Sequence, residues 1–167
     1  MAFIYNKDEK STKKALDIQL EEINDGLSRP IGIKSTKISK VGVLGSGLMG
    51  HGIAYVTALA GMRVVMIDTS KENIDKGIDR INAILNEALV KGFISKEEIQ
   101  DVLSRINATV DYSQLVDCDL IIEAVFENRK LKAKIISDSE KFLASNGILA
   151  SNTSSIPITS LSDSTIN

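Results

Sequence analysis

The sequence predicts a doubly wound α/β fold, in which helices cover both faces of a parallel sheet. After residue 39, short apolar runs typical of buried strands alternate with helical stretches, and parallel strands need such crossovers. The strand candidates are apolar almost throughout, as expected for a sheet that is covered on both sides. A length of 167 residues with 43% hydrophobic content suffices for one domain with a sizeable core.

Hydrophobic periodicity and capping residues place the individual elements. Between residues 70 and 91, apolar side chains recur every three to four positions, which predicts a long helix with one buried face. Ser95 followed by Glu98 has the spacing of a capping box and opens a second helix. The predicted strands cover 40–44, 64–67, 108–110, 120–124 and 148–151, and the predicted helices cover 48–60, 70–91, 95–105 and 128–144.

Two predicted helices lie between the second and third strands, where a mononucleotide-binding unit needs one. We expect this stretch, residues 70–105, to project from the domain as a helical hairpin. Residues 1–37 are charged and carry only a weak helical stripe from Ala15 to Ile23, which predicts a connector or arm. Residues 38–167 are predicted to form the domain itself.

Charge and composition exclude several classes of function. The 20 Lys and Arg residues against 22 Asp and Glu residues argue against a general binder of nucleic acid or of a membrane surface. The single cysteine, Cys118, excludes an intramolecular disulfide and a multi-cysteine zinc site, and it favours a cytoplasmic location. No apolar run reaches the roughly 18 residues of a membrane span, so we expect neither an anchor nor a secretory signal.

A glycine-rich turn predicts a dinucleotide site. Gly45, Gly47 and Gly50 have the spacing G-x-G-x-x-G between the first predicted strand and its helix. The first glycine permits a tight turn, the second lets the backbone approach a pyrophosphate, and the third lets helix and strand pack closely. Free N–H groups and the helix dipole favour the pyrophosphate at this helix N-terminus. The turn by itself does not distinguish a site for NAD from a site for FAD or an adenylate.

Asp68, at the end of the second predicted strand, discriminates between cofactors. A carboxylate at this distance from the glycines accepts the ribose hydroxyls of adenosine, whereas a 2'-phosphate would meet a like charge. No arginine follows in Thr69-Ser70-Lys71 to neutralise that charge. NAD is therefore predicted in preference to NADP, and Ser70 is predicted to cap the next helix.

Three blocks together resemble the NAD-binding domain of the L-3-hydroxyacyl-CoA dehydrogenases of fatty acid β-oxidation. They are VGVLGSGLMGHGIA from Val41, IEAVFEN from Ile122 and ASNTSSIPI from Ala150, and the resemblance runs from about residue 38 to the last residue. Most Rossmann enzymes share the glycine block, but the other two blocks at this distance are specific. Residues 2–7 resemble, more faintly, the connector to a hydratase domain in fused multifunctional enzymes.

The resemblance assigns further residues to the cofactor site. It implies that Leu48 and Met49 line the pyrophosphate turn. It also implies a group around the nicotinamide half of NAD, formed by Val125, Phe126, Glu127, Lys132, Asn152 and Ser154. Ser154 would also support catalysis by a hydrogen bond near the 3-oxygen of the substrate. Without the family, residues 151–154 are typical of a turn or a helix cap.

The reaction implied by the resemblance is hydride transfer from C3 of an L-3-hydroxyacyl-CoA to NAD+. A histidine removes the hydroxyl proton, because an alkoxide must develop as hydride leaves. In the family this histidine lies in a His-Phe-Phe-Asn-Pro segment beyond the positions matched here. The only histidine, His51, follows Gly50 and is expected to be a helix residue at the pyrophosphate end. Cys118, flanked by Asp117 and Asp119, is expected to be a buried structural thiol.

These observations predict the NAD-binding domain of a 3-hydroxyacyl-CoA dehydrogenase whose C-terminal substrate domain lies outside these 167 residues. We expect the chain to bind NAD but to be nearly inactive alone. The implied partners are an acyl-CoA substrate and, in the whole enzyme, a homodimer mate or a fused hydratase domain. The alternatives are another two-domain NAD(P) dehydrogenase, of the 3-hydroxyisobutyrate or 6-phosphogluconate type, and a non-catalytic NAD-binding module.

Overall fold

The structure, a computed structural model, describes residues 17–23, 25–27, 29–163 and 165. The chain divides into two compact units, Met1–Thr36 and Lys37–Asn167. In the first unit, residues 17–23 are helical and residues 25–27 form a turn. The start of the predicted stripe at Ala15 and the connector-like residues 2–7 lie outside the described residues.

The second unit is built on a five-stranded parallel sheet. Its strands are β1 (Lys40–Leu44), β2 (Arg63–Ile67), β3 (Ile106–Thr109), β4 (Cys118–Glu123) and β5 (Leu143–Ser151). Their spatial order is β3-β2-β1-β4-β5, so the chain winds outward from β1 first to one side and then to the other. This order confirms the predicted doubly wound fold. Ligands of such sheets bind outside the carboxyl ends of the strands, at the point of reversal.

Helices connect the strands on both faces. They are α1 (Leu48–Leu59), α2 (Lys71–Val90), α3 (Lys96–Ser104), α4 (Arg129–Glu140) and α5 (Ile158–Ser162), with a 3-10 helix at Tyr112–Leu115. Ser70 caps α2 by accepting a hydrogen bond from Asn73 N–H, and Ser95 with Glu98 forms the predicted capping box of α3. Within the described part of the chain, no helix combines the length and apolarity needed to cross a membrane.

Successive side chains of a strand pack alternately in two apolar clusters. Val64 and Met66 of β2 pack in one cluster, whereas Val65 and Ile67 pack in the other. Because successive side chains of a strand point to opposite faces, the two clusters lie on the two sides of the sheet. The first cluster includes Ala54 of α1, and the second is closed by side chains of the 3-10 helix and α4. The sheet is therefore buried on both faces, as its composition predicts.

The two helices predicted between β2 and β3 are present as α2 and α3. Ile81 and Leu85 of α2 and Val102 of α3 are buried in the first apolar cluster. At least this face of the helix pair is therefore packed on the domain core. Projection of the pair as a hairpin stays a prediction.

The predicted boundary between α4 and β5 is wrong. The sequence predicts a helix to residue 144 and a strand from 148, whereas α4 ends at Glu140 and β5 begins at Leu143. Leu143 pairs with Cys118, and after a register shift Ile148 pairs with Leu120. The intervening residues of β5 form an irregularity that keeps the strand aligned with β4. Pairing with a neighbouring strand outweighs the local helical pattern here.

Candidate functional site

The glycine-rich turn lies between β1 and α1, at the reversal point of the sheet. Gly45 has a φ of 101°, a left-handed conformation that favours glycine. A Cβ on Gly45 would lie 2.8 Å from the carbonyl oxygen of Ala124, and a Cβ on Gly50 would overlap the carbonyl oxygen of Gly45. The close approach of the turn to both β4 and α1 therefore requires these two glycines.

Gly47, the N-cap of α1, is different because a Cβ there would meet no atom within 4 Å. Its φ of -66° also suits other residues. Glycine at this position leaves open space in front of the N-terminus of α1. No side chain of the described residues caps this N-terminus, and its first turn, Leu48 onward, carries no acidic residue. The free N–H groups and the open space fit an anionic group such as a pyrophosphate.

Apolar side chains and the histidine flank this turn. Leu48 and Met49, in the first turn of α1, are 83% and 51% exposed. His51 is buried, and its Nδ1 lies 2.6 Å from the carbonyl oxygen of Gly47. Since a carbonyl only accepts hydrogen bonds, Nδ1 carries the proton in this pair. His51 thus supports the turn from within α1.

Asp68 follows β2, and its carboxylate is held beside the glycine turn. Its Oδ2 accepts hydrogen bonds from the Ser46 N–H and hydroxyl, both at 2.8 Å. Its Oδ1 accepts from Thr69 N–H at 2.7 Å and from Asn73 Nδ2 at 2.8 Å. Partial burial raises the carboxyl pKa, but the hydrogen bonds outweigh burial, and the pKa of Asp68 lies below its ordinary value. A fixed negative charge therefore stands where the adenosine ribose is predicted.

A cleft of about 270 Å³ is lined by Gly45 and Gly47 of the turn and by Asp68. No motif in the sequence marks several of its lining residues, which are Thr69, Asn73, Tyr112, Leu131 and Ile135. They come from the 3-10 helix, from α4, from the segment after β2 and from the first turn of α2, which only the sheet order brings together. A mixed lining of apolar side chains and a few polar groups suits a small organic ligand.

The second half of the predicted site lies where β4 and β5 end. Glu123, the last residue of β4, and Lys132, in α4, have side-chain exposures of 0% and 1%. Lys132 Nζ lies 2.8 and 3.0 Å from the two carboxylate oxygens of Glu123. It also donates to the carbonyl oxygen of Val125 at 3.2 Å. The resemblance places Lys132 beside the nicotinamide, and the structure places its ammonium in a buried ion pair against the turn that contains Val125.

Glu127 links the turn after β4 to the turn after β5. Its Oε1 accepts hydrogen bonds from the hydroxyls of Thr153 and Ser155, and its Oε2 lies 3.1 Å from Lys132 Nζ. The two hydroxyls, followed by the Lys132 ammonium, lower the pKa of Glu127 from its ordinary 4.5 to about 2. Glu127 is therefore an anion at every physiological pH.

The remaining predicted residues lie in these two turns. Phe126 is 79% exposed, and both Asn152 and Ser154 are exposed in the turn after β5. Thr153 Oγ1 accepts a hydrogen bond from Ile156 N–H at 3.2 Å, which stabilises the turn. The helix that follows, α5, has Pro157 at its N-cap without a side-chain cap bond. Of the two conformations that the residue types favour, the structure shows the turn.

A comparison with protein families identifies the domain. The model of the family "3-hydroxyacyl-CoA dehydrogenase, NAD binding domain" matches residues 40–167. The chain belongs to this family. The cofactor of this NAD-binding domain is NAD, and the open turn at Gly47 with the anionic Asp68 fits that cofactor.

Solved structures agree with the family. (S)-3-hydroxybutyryl-CoA dehydrogenase PaaH1 from Ralstonia eutropha is 38% identical with a TM-score of 0.75, and the match covers 78% of this chain and 46% of that one. FadB2 from M. tuberculosis is 36% identical with a TM-score of 0.76 and the same coverages, 78% and 46%. 3-Hydroxybutyryl-CoA dehydrogenase from Escherichia coli is 35% identical with a TM-score of 0.72, covering 76% and 27%. The NAD-binding domain chain thus spans less than half the length of these relatives.

Cys118 of the NAD-binding domain lies at the opposite end of β4 from Glu123. Its side chain is fully buried. Burial raises the pKa of the Cys118 thiol to about 11, and the neighbouring acids Asp119 and Asp117 contribute less. The thiol is therefore a structural group, as its sequence context predicts, although burial rather than the acids is the main cause of its high pKa.

The Glu127 carboxyl of the NAD-binding domain is expected to titrate near pH 2. Since its pKa is lower in the folded chain, its bonds stabilise the fold fully above about pH 4.5, and this contribution is lost as the pH falls toward 2. Side-chain carbon-13 NMR over a pH series measures the midpoint. Thr153→Val removes one donor and is expected to move the midpoint upward. A wild-type midpoint at or above 4.5 would contradict the hydrogen bonds described here.

Proposed function

We propose that this chain is the NAD-binding half of an enzyme that oxidises L-3-hydroxyacyl-CoA to 3-ketoacyl-CoA in fatty acid β-oxidation. The chain belongs to this family, and one observation on its structure carries the proposal. The open helix N-terminus at Gly47, the anionic Asp68 and the paired turns around Glu127 all lie at the carboxyl ends of the neighbouring strands β2, β1, β4 and β5. The names of two relatives, both 3-hydroxybutyryl-CoA dehydrogenases, support a 3-hydroxyacyl-CoA substrate.

The proposed cofactor placement follows the order of the strands. The pyrophosphate lies at the N-terminus of α1, beside Gly47, with Leu48 and Met49 at its sides. Asp68 accepts hydrogen bonds from the ribose hydroxyls, which replace those donated by the exposed Thr69. The hydrogen bonds from Ser46 and Asn73 keep the carboxylate in position. NAD supplies the hydride acceptor. Its nicotinamide half is held by the turns that contain Val125, Phe126, Glu127, Asn152 and Ser154, with Lys132 behind them.

The proton acceptor is assigned to residues outside these 167. Hydride loss from C3 requires a base whose pKa lies near neutrality. His51, the only histidine, is bonded to Gly47 at the pyrophosphate end. Glu127, whose pKa is lowered to about 2, is too weak a base for this step. Ser154 would support the substrate 3-oxygen without itself removing the proton.

The whole enzyme is proposed to bind its substrate and partners through other parts. The proposed partners are an acyl-CoA substrate and, in the whole enzyme, a homodimer mate or a fused hydratase domain. A substrate domain beyond residues 38–167 and a connector at 1–37 belong to this proposal. A cytoplasmic location is proposed from the single cysteine and the lack of disulfides that it implies.

Binding of NADH tests the cofactor site. Gly47→Ala is expected to weaken NADH binding about tenfold or more, because its methyl group occupies the space proposed for the pyrophosphate. Gly52→Ala is the matched control, since Gly52 lies in the helix that Gly47 precedes and a Cβ there also meets no atom of the described residues within 4 Å. Calorimetric titration measures both. Equal NADH affinity in the two variants would contradict a pyrophosphate at Gly47.

Turnover tests the assignment of the base. The chain alone is expected to bind NADH yet reduce acetoacetyl-CoA at only a trace of the rate of a complete enzyme, since a general acid–base group contributes about 10²–10⁴-fold. Absorbance at the NADH band measures the rate. Turnover close to that of a complete relative would place the base within these residues and refute the proposal. NADPH binding as tight as NADH binding would favour a different dehydrogenase class.

A further inference from the structure

The carboxylate of Glu123 is fully buried, and no contact proposed with the cofactor uses it. It accepts hydrogen bonds from three different parts of the chain. These are the backbone N–H of Val125 at 2.7 Å, the ammonium of Lys132 at 2.8 Å and the hydroxyl of Ser151 at 2.5 Å. Glu123 thus joins the end of β4, the start of α4 and the end of β5.

Both cofactor-facing turns begin at this cluster. Glu123 immediately precedes the turn after β4, and Ser151 immediately precedes the turn after β5. The backbone adds a further link, since Asn152 N–H donates to the carbonyl oxygen of Glu123 at 2.8 Å. Farther out, Glu127 accepts from hydroxyls of the second turn. The two turns are therefore tied to each other at an inner and an outer level.

These turns lack regular backbone pairing, so side-chain bonds decide how they are placed relative to each other. The backbone ladder between β4 and β5 ends at the pair Glu123 and Ser151. Beyond that pair, the turns are linked by Asn152 N–H and by the side chains of Glu123 and Glu127. A buried charge does not favour folding over an apolar residue unless its bonds are complete. Those of Glu123 are complete, and they are all directed to elements that carry the turns.

We propose that Glu123 and Ser151 are positioning residues for the nicotinamide half of the cofactor. They do not touch NAD, but they hold the turn at residues 125–127 and the turn at residues 152–155 at the separation the nicotinamide requires. This inference rests on the proposed function. It predicts that loss of the Ser151 hydroxyl impairs binding of the nicotinamide half and spares the adenosine half at Asp68, which depends on other bonds.

Two ligands separate the halves, because ADP-ribose has the adenosine and pyrophosphate of NADH but no nicotinamide. Calorimetric titration of the 167-residue chain with each ligand gives two dissociation constants. Ser151→Ala is expected to weaken NADH binding about tenfold and to leave ADP-ribose binding within about twofold of wild type. Ser151→Thr keeps the hydroxyl and is expected to restore NADH binding.

Ser139→Ala is the matched control. Ser139 is fully buried, and its hydroxyl donates a hydrogen bond to the carbonyl oxygen of Ile136 within α4. Its removal is expected to leave the ratio of the two dissociation constants unchanged. If Ser151→Ala weakens both ligands alike, or neither, the positioning role is overturned. If circular dichroism shows that Ser151→Ala is unfolded, Glu123→Gln replaces it and the same ratio decides. If the wild-type chain binds ADP-ribose but not NADH, the positioning inference is overturned and the proposed function is not. If the wild-type chain binds neither ligand, both are overturned.

Discussion

Gly50→Ala is expected to lower the free energy of unfolding by about 3 kcal/mol or more, near the top of the range for overpacking substitutions. A Cβ at this position would overlap the carbonyl oxygen of Gly45, which is backbone and cannot turn aside as a side chain can. Relief of the overlap requires α1 to move away from the turn after β1. Because Ala54 and Ala58 of α1 are completely buried in the core, that movement would also open the packing of the sheet.

Urea unfolding followed by circular dichroism measures this loss. Gly52→Ala, two positions along in the same helix, is the control, because a Cβ on Gly52 meets no atom within 4 Å. It is expected to stabilise the chain by up to about 1 kcal/mol, since alanine favours a helix more than glycine does. The two substitutions add the same methyl group to α1 and are expected to act in opposite directions. Equal midpoints would show that helix and turn do not pack as described.

Lys132→Met is expected to lower the free energy of unfolding by about 3–5 kcal/mol. The substitution leaves the Glu123 carboxylate buried without a cation, and the remaining donors, Val125 N–H and the Ser151 hydroxyl, do not neutralise its charge. Glu123→Gln is expected to be milder because it removes the buried negative charge and Lys132 keeps Glu127 as a partner. The same urea unfolding experiment ranks the two variants.

An exposed ion pair provides the control for this prediction. Lys71 and Asp75 lie 3.0 Å apart in α2 with side-chain exposures of 84% and 56%. Lys71→Met is expected to change the free energy of unfolding by only about 0.5 kcal/mol, because water already solvates both charges. The double variant Glu123→Leu/Lys132→Met is expected to recover part of the loss of Lys132→Met. A Lys132→Met loss as small as that of Lys71→Met would show that the Glu123 pair is solvated in solution.

Local patterns in the sequence predict most of the fold because they report local physics. The capping box at Ser95 and Glu98 and the strand at residues 40–44 depend on side chains a few positions apart, and both are present. The end of α4 is predicted wrongly because β5 is lengthened by pairing with β4 across a register shift. No periodicity within residues 141–147 reports the presence of a neighbouring strand. Sheet pairing is a property of two segments, and one segment alone does not reveal it.

The candidate site divides in the same way. One part of the site follows a spacing rule that is typical of a strand, a turn and a helix in succession. Its residues are Gly45, Gly47, Gly50 and Asp68. The Glu123–Lys132 pair obeys no such rule, because a strand end, an irregular turn and the first turn of a helix separate its members. The same holds for Tyr112, which reaches the cleft from the 3-10 helix. The resemblance names Lys132 but not its partner Glu123, so the contact between these two residues and the approach of Tyr112 to the cleft become visible only in the three-dimensional structure.

Under the proposed placement of the adenosine ribose at Asp68, the restraint on this carboxylate disfavours a second phosphate on the ribose. Hydrogen bonds from Ser46 to one oxygen and from Asn73 to the other tether the carboxylate at both ends. A free side chain would rotate away from an approaching 2'-phosphate, but this one has already lost that rotational freedom when the chain folds. The carboxylate therefore stays in place, and its negative charge repels the 2'-phosphate of NADP without any rearrangement of the protein. Conversely, NAD meets an acceptor that needs no ordering, so little conformational entropy is lost at the moment of binding.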